Sequence, residues 1–230
     1  PQGTGLFTRG GVAGVDPARG GAPLLADRNP HLDSIARTVA PEVRAQSLGD
    51  PRGVLFEPAS GNQDVAGMGS DNVIVASPAG ARIARIEVGA GPTGLALAAN
   101  GERLYVLNKF DASITSIDMA SHIETARTGF FDPTSTAVRE GRPLLYDTHD
   151  GSGLGQAACA SCHLDARSDF LAWDLGDPAG ALKNINLPCL PAQTCTTWHP
   201  MKGPMVTQSM QGIVPAGAMH WRGDRENIAA

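Results

Sequence analysis

The 230-residue sequence has few aromatic and charged residues, and it has no long apolar run. Aromatic residues make up 5% and charged residues 18% of the chain, whereas glycine occurs 28 times. This composition favours short strands joined by many turns over long surface helices. The most apolar short run, residues 95–99, has the length of a strand, and no run approaches the roughly 18 residues that can span a bilayer. The sequence therefore predicts no transmembrane segment.

Basic clusters are also missing. The chain carries 18 Lys and Arg residues against 23 Asp and Glu residues, a net charge of −5, and the basic residues are dispersed. This balance argues against binding to nucleic acid or to anionic membrane surfaces. The chain begins with Pro1 and shows no leader, so we expect that a leader has been removed or that the chain is part of a longer protein.

Only four cysteines are present, and two of them, Cys159 and Cys162, are followed directly by His163. Cys-x-x-Cys-His is the pattern of covalent haem c attachment. Each thiol adds to one vinyl group of the porphyrin, and the histidine reaches the iron as proximal ligand. Small neighbours such as Ala158 and Ala160 let a flat ring approach the backbone. The predicted cofactor is one covalently attached haem c.

Two other uses of the same cysteines stay open. A redox dithiol fits the spacing, but the strand-helix-strand pattern of thioredoxin-like proteins is missing around it. A zinc site would need Cys189 and Cys195, whose spacing is wider than a short zinc knuckle. These two cysteines instead predict a disulfide that clips a loop. Haem c attachment and a disulfide both indicate the periplasm or the outside of the cell.

The segment after the haem motif is rich in histidine and methionine, which are the usual second axial ligands of a haem. His199 is the first candidate for the distal ligand, and Met205 and Met201 are alternatives. Nearby prolines and Gly203 make a stiff, non-helical loop that could hold such a ligand. Arg222 is a candidate for pairing with the haem propionates, although a surface ion pair is an equally good interpretation.

Four aspartates, at positions 165, 169, 174 and 177, form an acidic stretch between the haem motif and this loop. Carboxylates are calcium ligands. The Asp-x-Asp-x-Asp-Gly pattern of a calcium loop is missing, so we expect solvated or capping roles for them.

A repeat with a period of 41 residues precedes the haem motif. Pro-Arg-Gly-Val at Pro51 recurs as Pro-Thr-Gly-Leu at Pro92, and a third copy is expected at Pro133. A period near 40 that consists of short strands is typical of propeller blades. The second copy predicts four strands, at residues 94–98, 104–107, 113–118 and 122–127.

Tyr-Val-Leu-Asn at residues 105–108, together with the Pro-Thr-Gly and Asn-Gly turns around it, resembles YVTN-type β-propeller repeats. The resemblance covers residues 50–130 and implies about two blades of antiparallel strands. A closed propeller needs at least about four blades. We therefore expect either a fragment or a further chain or subunit that completes the propeller, and an ordinary antiparallel sheet is the alternative.

Residues 138–147, Ser152-Gly153 and the haem motif resemble the first haem region of bacterial di-haem cytochrome c peroxidases. His199, Gly203-Pro204 and residues 220–225 look like that family's distal histidine, Gly-Pro segment and Trp-Asp-Gly-Arg turn, the last in altered form. The resemblance implies His199 as a distal ligand and peroxide reduction as an activity. Only one haem motif is present, so we expect this domain to be truncated at its C-terminus.

Together these observations predict a mixed fold, β first and then mainly α. Residues 1–130 would form a partial YVTN-like β-propeller region, with residues 1–50 poorly defined, and residues 131–230 a small helical cytochrome c-like domain. The predicted function is electron transfer by a c-type haem, with peroxidase-like oxidoreductase activity as the enzymatic possibility. Its partner would be a redox protein or a small-molecule oxidant. The alternative is a propeller-based binding module in which the haem is a passive relay or a structural element.

Overall fold

The computed structural model describes residues 11–14, 24–33, 36–174, 180–184, 197–199, 203–213, 217–219 and 226. Its internal contacts divide the chain into two compact units, one ending at Cys159 and the other starting at Ala160. The predicted domain boundary near residue 130 stays a prediction. Within the described residues no helix is both long and apolar enough to cross a membrane, in agreement with the sequence.

The first unit begins with a short hairpin of β1 (Gly11–Gly14) and β2 (Leu24–Asp27), followed by helix α1 (Pro41–Arg44). Two four-stranded antiparallel sheets follow, each with its strands in sequence order. The first sheet contains β3 (Pro51–Phe56), β4 (Gln63–Gly67), β5 (Asn72–Ala76) and β6 (Arg82–Glu87). The second sheet contains β7 (Pro92–Leu97), β8 (Arg103–Asn108), β9 (Ser113–Asp118) and β10 (Ile123–Gly129).

The two sheets share a hydrophobic core. It forms because apolar side chains at alternate positions of a strand lie on the same face. Side chains point to opposite faces at successive positions, so Val73 and Val75 lie on one face of β5 and Ile74 on the other. The main buried cluster joins the sheets; its buried members are Val73, Val75, Ile86, Val88, Leu104, Val106 and Ile117. On the opposite face of the first sheet, Val65 and Ile74 pack with Leu48.

The backbone conformation of the loops repeats at nearly the same 41-residue spacing as the sequence. Left-handed residues with positive φ occur in the loops that precede, join or follow the strands of each sheet, and those of the first sheet are Asp50, Gly61, Asp71 and Gly80. Their counterparts in the second sheet lie 40 to 42 residues later: Gly91, Gly101, Ala112 and His122. Because the same loops recur at the same spacing, the two sheets are copies of one structural unit.

Two successive four-stranded meanders that pack face to face make this part of the chain propeller-like, as the repeat predicted. The four predicted strands of the second copy correspond to β7–β10. The expected third copy at Pro133 does not form a sheet, because the chain continues there as helix α2 (Thr136–Tyr146) and then helix α3 (Thr148–Gly151).

The predicted change to a mainly helical fold is wrong. After Gly151 the described residues contain only two 3₁₀ turns, Cys159–Ser161 and Leu164–Ala166, and four two-residue strands. The strands are β11 (Ala172–Trp173), β12 (Lys183–Asn184), β13 (Thr197–Trp198) and β14 (Met205–Val206). A physical reason lies in the sequence, since prolines recur at 178, 188, 191, 200, 204 and 215 and proline interrupts helical hydrogen bonding. The described chain is therefore mostly β, without a helical cytochrome-like domain after the sheets.

Candidate functional site

The segment that leads to the haem motif begins with α3. Asp147 caps this helix: its carboxylate accepts hydrogen bonds from the backbone amides of His149 at 2.8 Å and Asp150 at 3.0 Å. The capping satisfies amides that the first helical turn leaves without a partner. The start of the lead-in segment is thus fixed by its own sequence.

Buried hydrogen bonds then tie the lead-in segment to the first sheet. Thr148 is fully buried, and both its amide and its hydroxyl donate to the carbonyl oxygen of Gly69, at 2.7 and 2.8 Å. Further along, the carbonyl oxygen of Leu154 accepts from the Ser47 hydroxyl at 2.9 Å. The side chain of Gln156 accepts from Asn29 at 3.3 Å. Buried polar contacts of this kind hold a single conformation because leaving a partner unsatisfied is costly.

The cysteines lie at a short 3₁₀ turn, Cys159–Ser161. The side chain of Cys159 is exposed and that of Cys162 is half-buried, and both carry thiols, so neither belongs to a disulfide. Ala160 between them is fully buried. The pattern therefore presents an accessible thiol at Cys159.

His163 is oriented by a hydrogen bond between its Nδ1 atom and the carbonyl oxygen of Gln208, at 2.8 Å. A carbonyl oxygen can only accept, so Nδ1 is the ring nitrogen that carries the hydrogen. In the neutral ring, Nε2 then holds the lone pair that a metal ion needs. A backbone carbonyl on the other ring nitrogen is the usual way in which proteins orient a metal-binding histidine.

The segment around Gln208 runs beside the chain that follows His163. Met205 of β14 pairs with Trp173 of β11, and the Met210 amide donates to the carbonyl oxygen of Ala166 at 2.9 Å. Met205 is half-buried. The structure thus brings the predicted ligand Met205 into the same small sheet as the chain that continues from the haem motif.

The other predicted site residues are less informative. His199 is exposed and follows directly after β13, which pairs with β12. Met201, Arg222, Cys189 and Cys195 lie outside the described residues, so the alternative distal ligand, the propionate contact and the disulfide stay predictions.

In the described part of the chain, no group of three or more His, Cys, Asp or Glu side chains could hold a metal ion. Asp177, Cys189 and Cys195 lie outside that part, so the calcium and zinc alternatives stay open. Asp169 accepts hydrogen bonds from the Leu171 amide at 3.0 Å and the Trp173 indole at 2.7 Å. This is the local capping role that we expected for it.

A second candidate site, a cleft of about 320 Å³, lies at one end of the two sheets in the first unit. It is lined by the turns after β4, β6 and β8 and by one side of α2. Phe110 and Tyr146 form part of its wall, with ring centroids 4.7 Å apart. Arg142 stacks over Phe110, 5.2 Å from the ring centre, and donates to the Phe110 carbonyl at 3.0 Å.

The cleft is rich in carboxylates. Asp71, Asp111 and Asp147 line it together with Arg139 and Arg142. Partial burial raises the pKa of Asp71, and the charges of Asp147 and Asp111 add to the effect, although the Gly91 amide donates to Asp71 at 2.8 Å. No local sequence pattern indicates that α2, which carries Arg139 and Arg142, covers the turns of the sheets.

Comparisons with known proteins give similarities of fold only. No family model matches the chain, and none of the curated proteins matches it. Among solved structures, hydrazine synthase of Kuenenia stuttgartiensis is 19% identical, over 37% of this chain and 25% of that one, with a TM-score of 0.35. AztD of Citrobacter koseri is 14% identical, over 52% and 29%, with a TM-score of 0.34. An inactive variant of virginiamycin B lyase from Staphylococcus aureus is 20% identical, over 36% and 27%, with a TM-score of 0.29.

These solved structures are β-propeller-like proteins. The chain covers less than a third of the length of each of the three.

Proposed function

We propose that the chain is a c-type haem protein for electron transfer, in which Cys159 and Cys162 hold the haem covalently and Nε2 of His163 binds the iron. One observation carries the proposal: the Gln208 carbonyl orients the imidazole through Nδ1 at 2.8 Å and leaves Nε2 for a metal. Combined with the Cys-x-x-Cys-His spacing, this is the donor set that a c-type haem requires.

The residues present fit this group. A thioether bond needs a reduced, reachable thiol, and Cys159 is an exposed thiol. The haem would supply one-electron redox chemistry, and the chain's own residues would hold it and set its surroundings. The role of Gln208 is to position the ring of His163.

The distal ligand stays open between His199, Met205 and Met201. Met205 is supported by its place in β14, which pairs with β11 and lies three residues before Gln208. His199 is supported by the resemblance to di-haem peroxidases. Methionine would give a higher reduction potential than histidine. Peroxide reduction remains part of the proposal through the same resemblance. Arg222 remains a candidate for the propionates on sequence alone, with a surface ion pair as the equal alternative.

A second candidate function is a binding module, and the cleft between the turns and α2 favours it. Concave sites with a few convergent polar groups and aromatic walls are typical ligand sites. In this alternative the haem is a passive relay or a structural element. The YVTN-type assignment of the two sheets belongs to the same proposal and is supported by the 41-residue spacing of their loops.

We place the protein in the periplasm or outside the cell, because haem c attachment and the proposed Cys189–Cys195 disulfide both suit an oxidising compartment. A redox protein or a small-molecule oxidant would be its electron partner.

The test is to produce the chain in a bacterial periplasm together with a cytochrome c maturation system. We expect a mass increase of one haem that survives denaturation, and a pyridine haemochrome spectrum typical of two thioether bonds. Cys159→Ala should shift that spectrum toward one thioether bond, and His163→Ala should change the spectrum of the folded protein. A colourless product with unmodified mass, or one that holds zinc, would refute the proposal.

His122→Asn is a matched control. His122 lies in a turn of the second sheet with φ of 55°, a conformation that asparagine tolerates well. It should keep the full haem spectrum. Replacing His199 and Met205 in turn by alanine then identifies the distal ligand. A species that reacts with hydrogen peroxide would support the peroxidase-like activity, and an iron that stays unreactive in both redox states would favour the passive relay.

A further inference from the structure

The internal repeat allows the two sheets to be compared position by position. In the first sheet we call the side that packs on the second sheet its front face. It includes Asp64 and Ala66 of β4 and Val73 and Val75 of β5, all fully buried. The second sheet covers it with its own back face, formed by Leu104, Val106 and Ile117. The interface between the two sheets thus joins the front of the first unit to the back of the second.

The strand register defines the corresponding front face of the second sheet. In the first sheet Leu55, Asp64, Val75 and Ala84 form one row across the four strands. In the second sheet the equivalent row is Ala96, Tyr105, Ser116 and Ala126. The neighbouring row, with Ala66 and Val73, corresponds to Leu107 and Ile114, which pair with each other.

Equivalent positions differ sharply in exposure. Tyr105 is 39% exposed where Asp64 is 0% exposed, Leu107 is 41% exposed where Ala66 is 0%, and Ile114 is 40% exposed where Val73 is 0%. The rows that contain them carry no charged side chain: Gly94, Ala96, Tyr105, Leu107, Ile114, Ser116, Ala126 and Thr128. The next row of the same face carries the paired residues Arg103 and Asp118, so the uncharged area is limited to these two rows. Adjacent uncharged rows with large exposed apolar side chains are typical of an interaction surface.

We propose that this front face of the second sheet is the docking surface for a third four-stranded antiparallel sheet of the same repeat. The reason is that the equivalent face of the first sheet is seen covered by such a sheet, through an apolar back face. The occupant must offer an uncharged back face like that of Leu104, Val106 and Ile117, since a charged one would be buried without a partner. Repeat units bury their apolar faces against their neighbours in this way. The proposal does not depend on the haem.

The experiment supplies such a sheet within the full chain. A copy of residues 90–130 is inserted after Phe130 and followed by a Gly/Ser linker of about 12 residues that lets the chain return to Phe131. The copy carries threonine at its positions equivalent to Tyr105, Leu107 and Ile114, which makes its peptides distinguishable and its outer face polar. Hydroxyl-radical footprinting with mass spectrometry then measures the oxidation rate of the original three side chains.

We expect oxidation of Tyr105, Leu107 and Ile114 to fall several-fold in the chain with the added repeat. In the same chain with Leu107→Lys, oxidation of Tyr105 and Ile114 should stay as in the unaltered protein. Unchanged oxidation in the first chain, with its circular dichroism retained, would overturn the proposal.

The unaltered chain provides the second measurement. Sedimentation equilibrium should show a monomer, because the face is complementary to the back of a sheet and not to itself. A dimer that Leu107→Lys converts to a monomer would assign the face to self-association and overturn the proposal.

Discussion

The side chain of Asn29 forms two hydrogen bonds with the backbone of Leu48. The side-chain oxygen of Asn29 accepts a hydrogen bond from the Leu48 amide at 2.7 Å, and its nitrogen donates to the Leu48 carbonyl at 2.9 Å. The same nitrogen lies 3.3 Å from the Gln156 side-chain oxygen. One buried side chain therefore joins the N-terminal segment, the edge of the first sheet and the lead-in to the haem motif.

Replacing Asn29 by alanine should destabilise the first unit by about 2–3 kcal/mol, because a buried amide and a buried carbonyl lose their partners. Urea unfolding of the full chain measures the change. Asn100→Ala is the control: Asn100 lies in an exposed turn and bonds to Glu102, so we expect a change within about 0.5 kcal/mol. Equal effects of the two variants would contradict the role of Asn29.

The sheets could be predicted from the sequence, whereas contacts such as Asn29 with Leu48 could not. A 41-residue repeat with alternating apolar positions specifies strands and turns locally, and the residues at Pro51 and Pro92 mark the start of each unit. A single asparagine 19 residues from its partner leaves no local pattern. Its role follows from the path of the chain between the two segments.

The haem motif likewise combines a local pattern that the sequence reveals with a distant contact that it does not. The spacing of Cys159, Cys162 and His163 is local and readable in the sequence. The bond from His163 to Gln208 joins residues 45 positions apart, through a backbone carbonyl that any residue could supply. The helical fold predicted for this region was wrong because a resemblance in short motifs says little about the proline-rich segments between them.

Asp64 lies in the interface between the two sheets with both carboxyl oxygens buried and without a hydrogen-bond partner among the described residues. Burial, and secondarily the negative charge of Glu57, raise its pKa to about 7. In the unfolded chain the pKa of an aspartate is about 3.9. Between these values the unfolded chain has lost a proton that the folded chain keeps, so stability falls as the pH rises from about 4 to 7 and then levels off.

Asp64→Asn should remove this dependence. We expect the variant to be more stable than the unaltered chain at pH 8, by roughly 2–4 kcal/mol since each pKa unit corresponds to about 1.4 kcal/mol, and nearly equal to it at pH 4. Urea unfolding at several pH values measures the difference. A difference that does not grow with pH would show that Asp64 titrates normally.

Asp118→Asn is a control for which we expect the opposite change of stability with pH. The hydroxyl and amide of Ser121 donate to Asp118 at 2.7 and 2.8 Å and lower its pKa. A lowered pKa gives stability that is present above the unfolded pKa and lost as the pH falls. The unaltered chain should therefore be the more stable of this pair at neutral pH, and the advantage should disappear in acid.

Two glycines, one crowded and one in open space, test the contact of the first sheet with helices α2 and α3. A Cβ atom on Gly69 would lie 2.5 Å from the Thr148 side chain and 2.6 Å from the Tyr146 carbonyl oxygen, whereas one on Gly141 meets nothing within 4 Å. Gly69→Ala should destabilise the chain by about 1–3 kcal/mol through overpacking. Gly141→Ala, within α2, should stabilise it by about 0.5–1 kcal/mol because alanine favours the helix. Thermal unfolding of the two variants checks the signs, and a loss in both would contradict the helical environment of Gly141.

Ala166 has a left-handed backbone, with φ of 61°, just after the haem motif. This conformation costs a residue with a Cβ atom about 1–2 kcal/mol, part of which the greater freedom of an unfolded glycine would offset. Ala166→Gly should therefore stabilise the turn by roughly 0.5–1 kcal/mol. The readout is hydrogen exchange of the Met210 amide, which donates to the Ala166 carbonyl and should exchange more slowly in the variant. Ala137→Gly in α2 is the matched control and should lose about 1 kcal/mol of helix stability. Faster exchange at Met210 in the Ala166 variant would mean that the alanine side chain holds the turn through its contacts, and that its backbone conformation carries little strain.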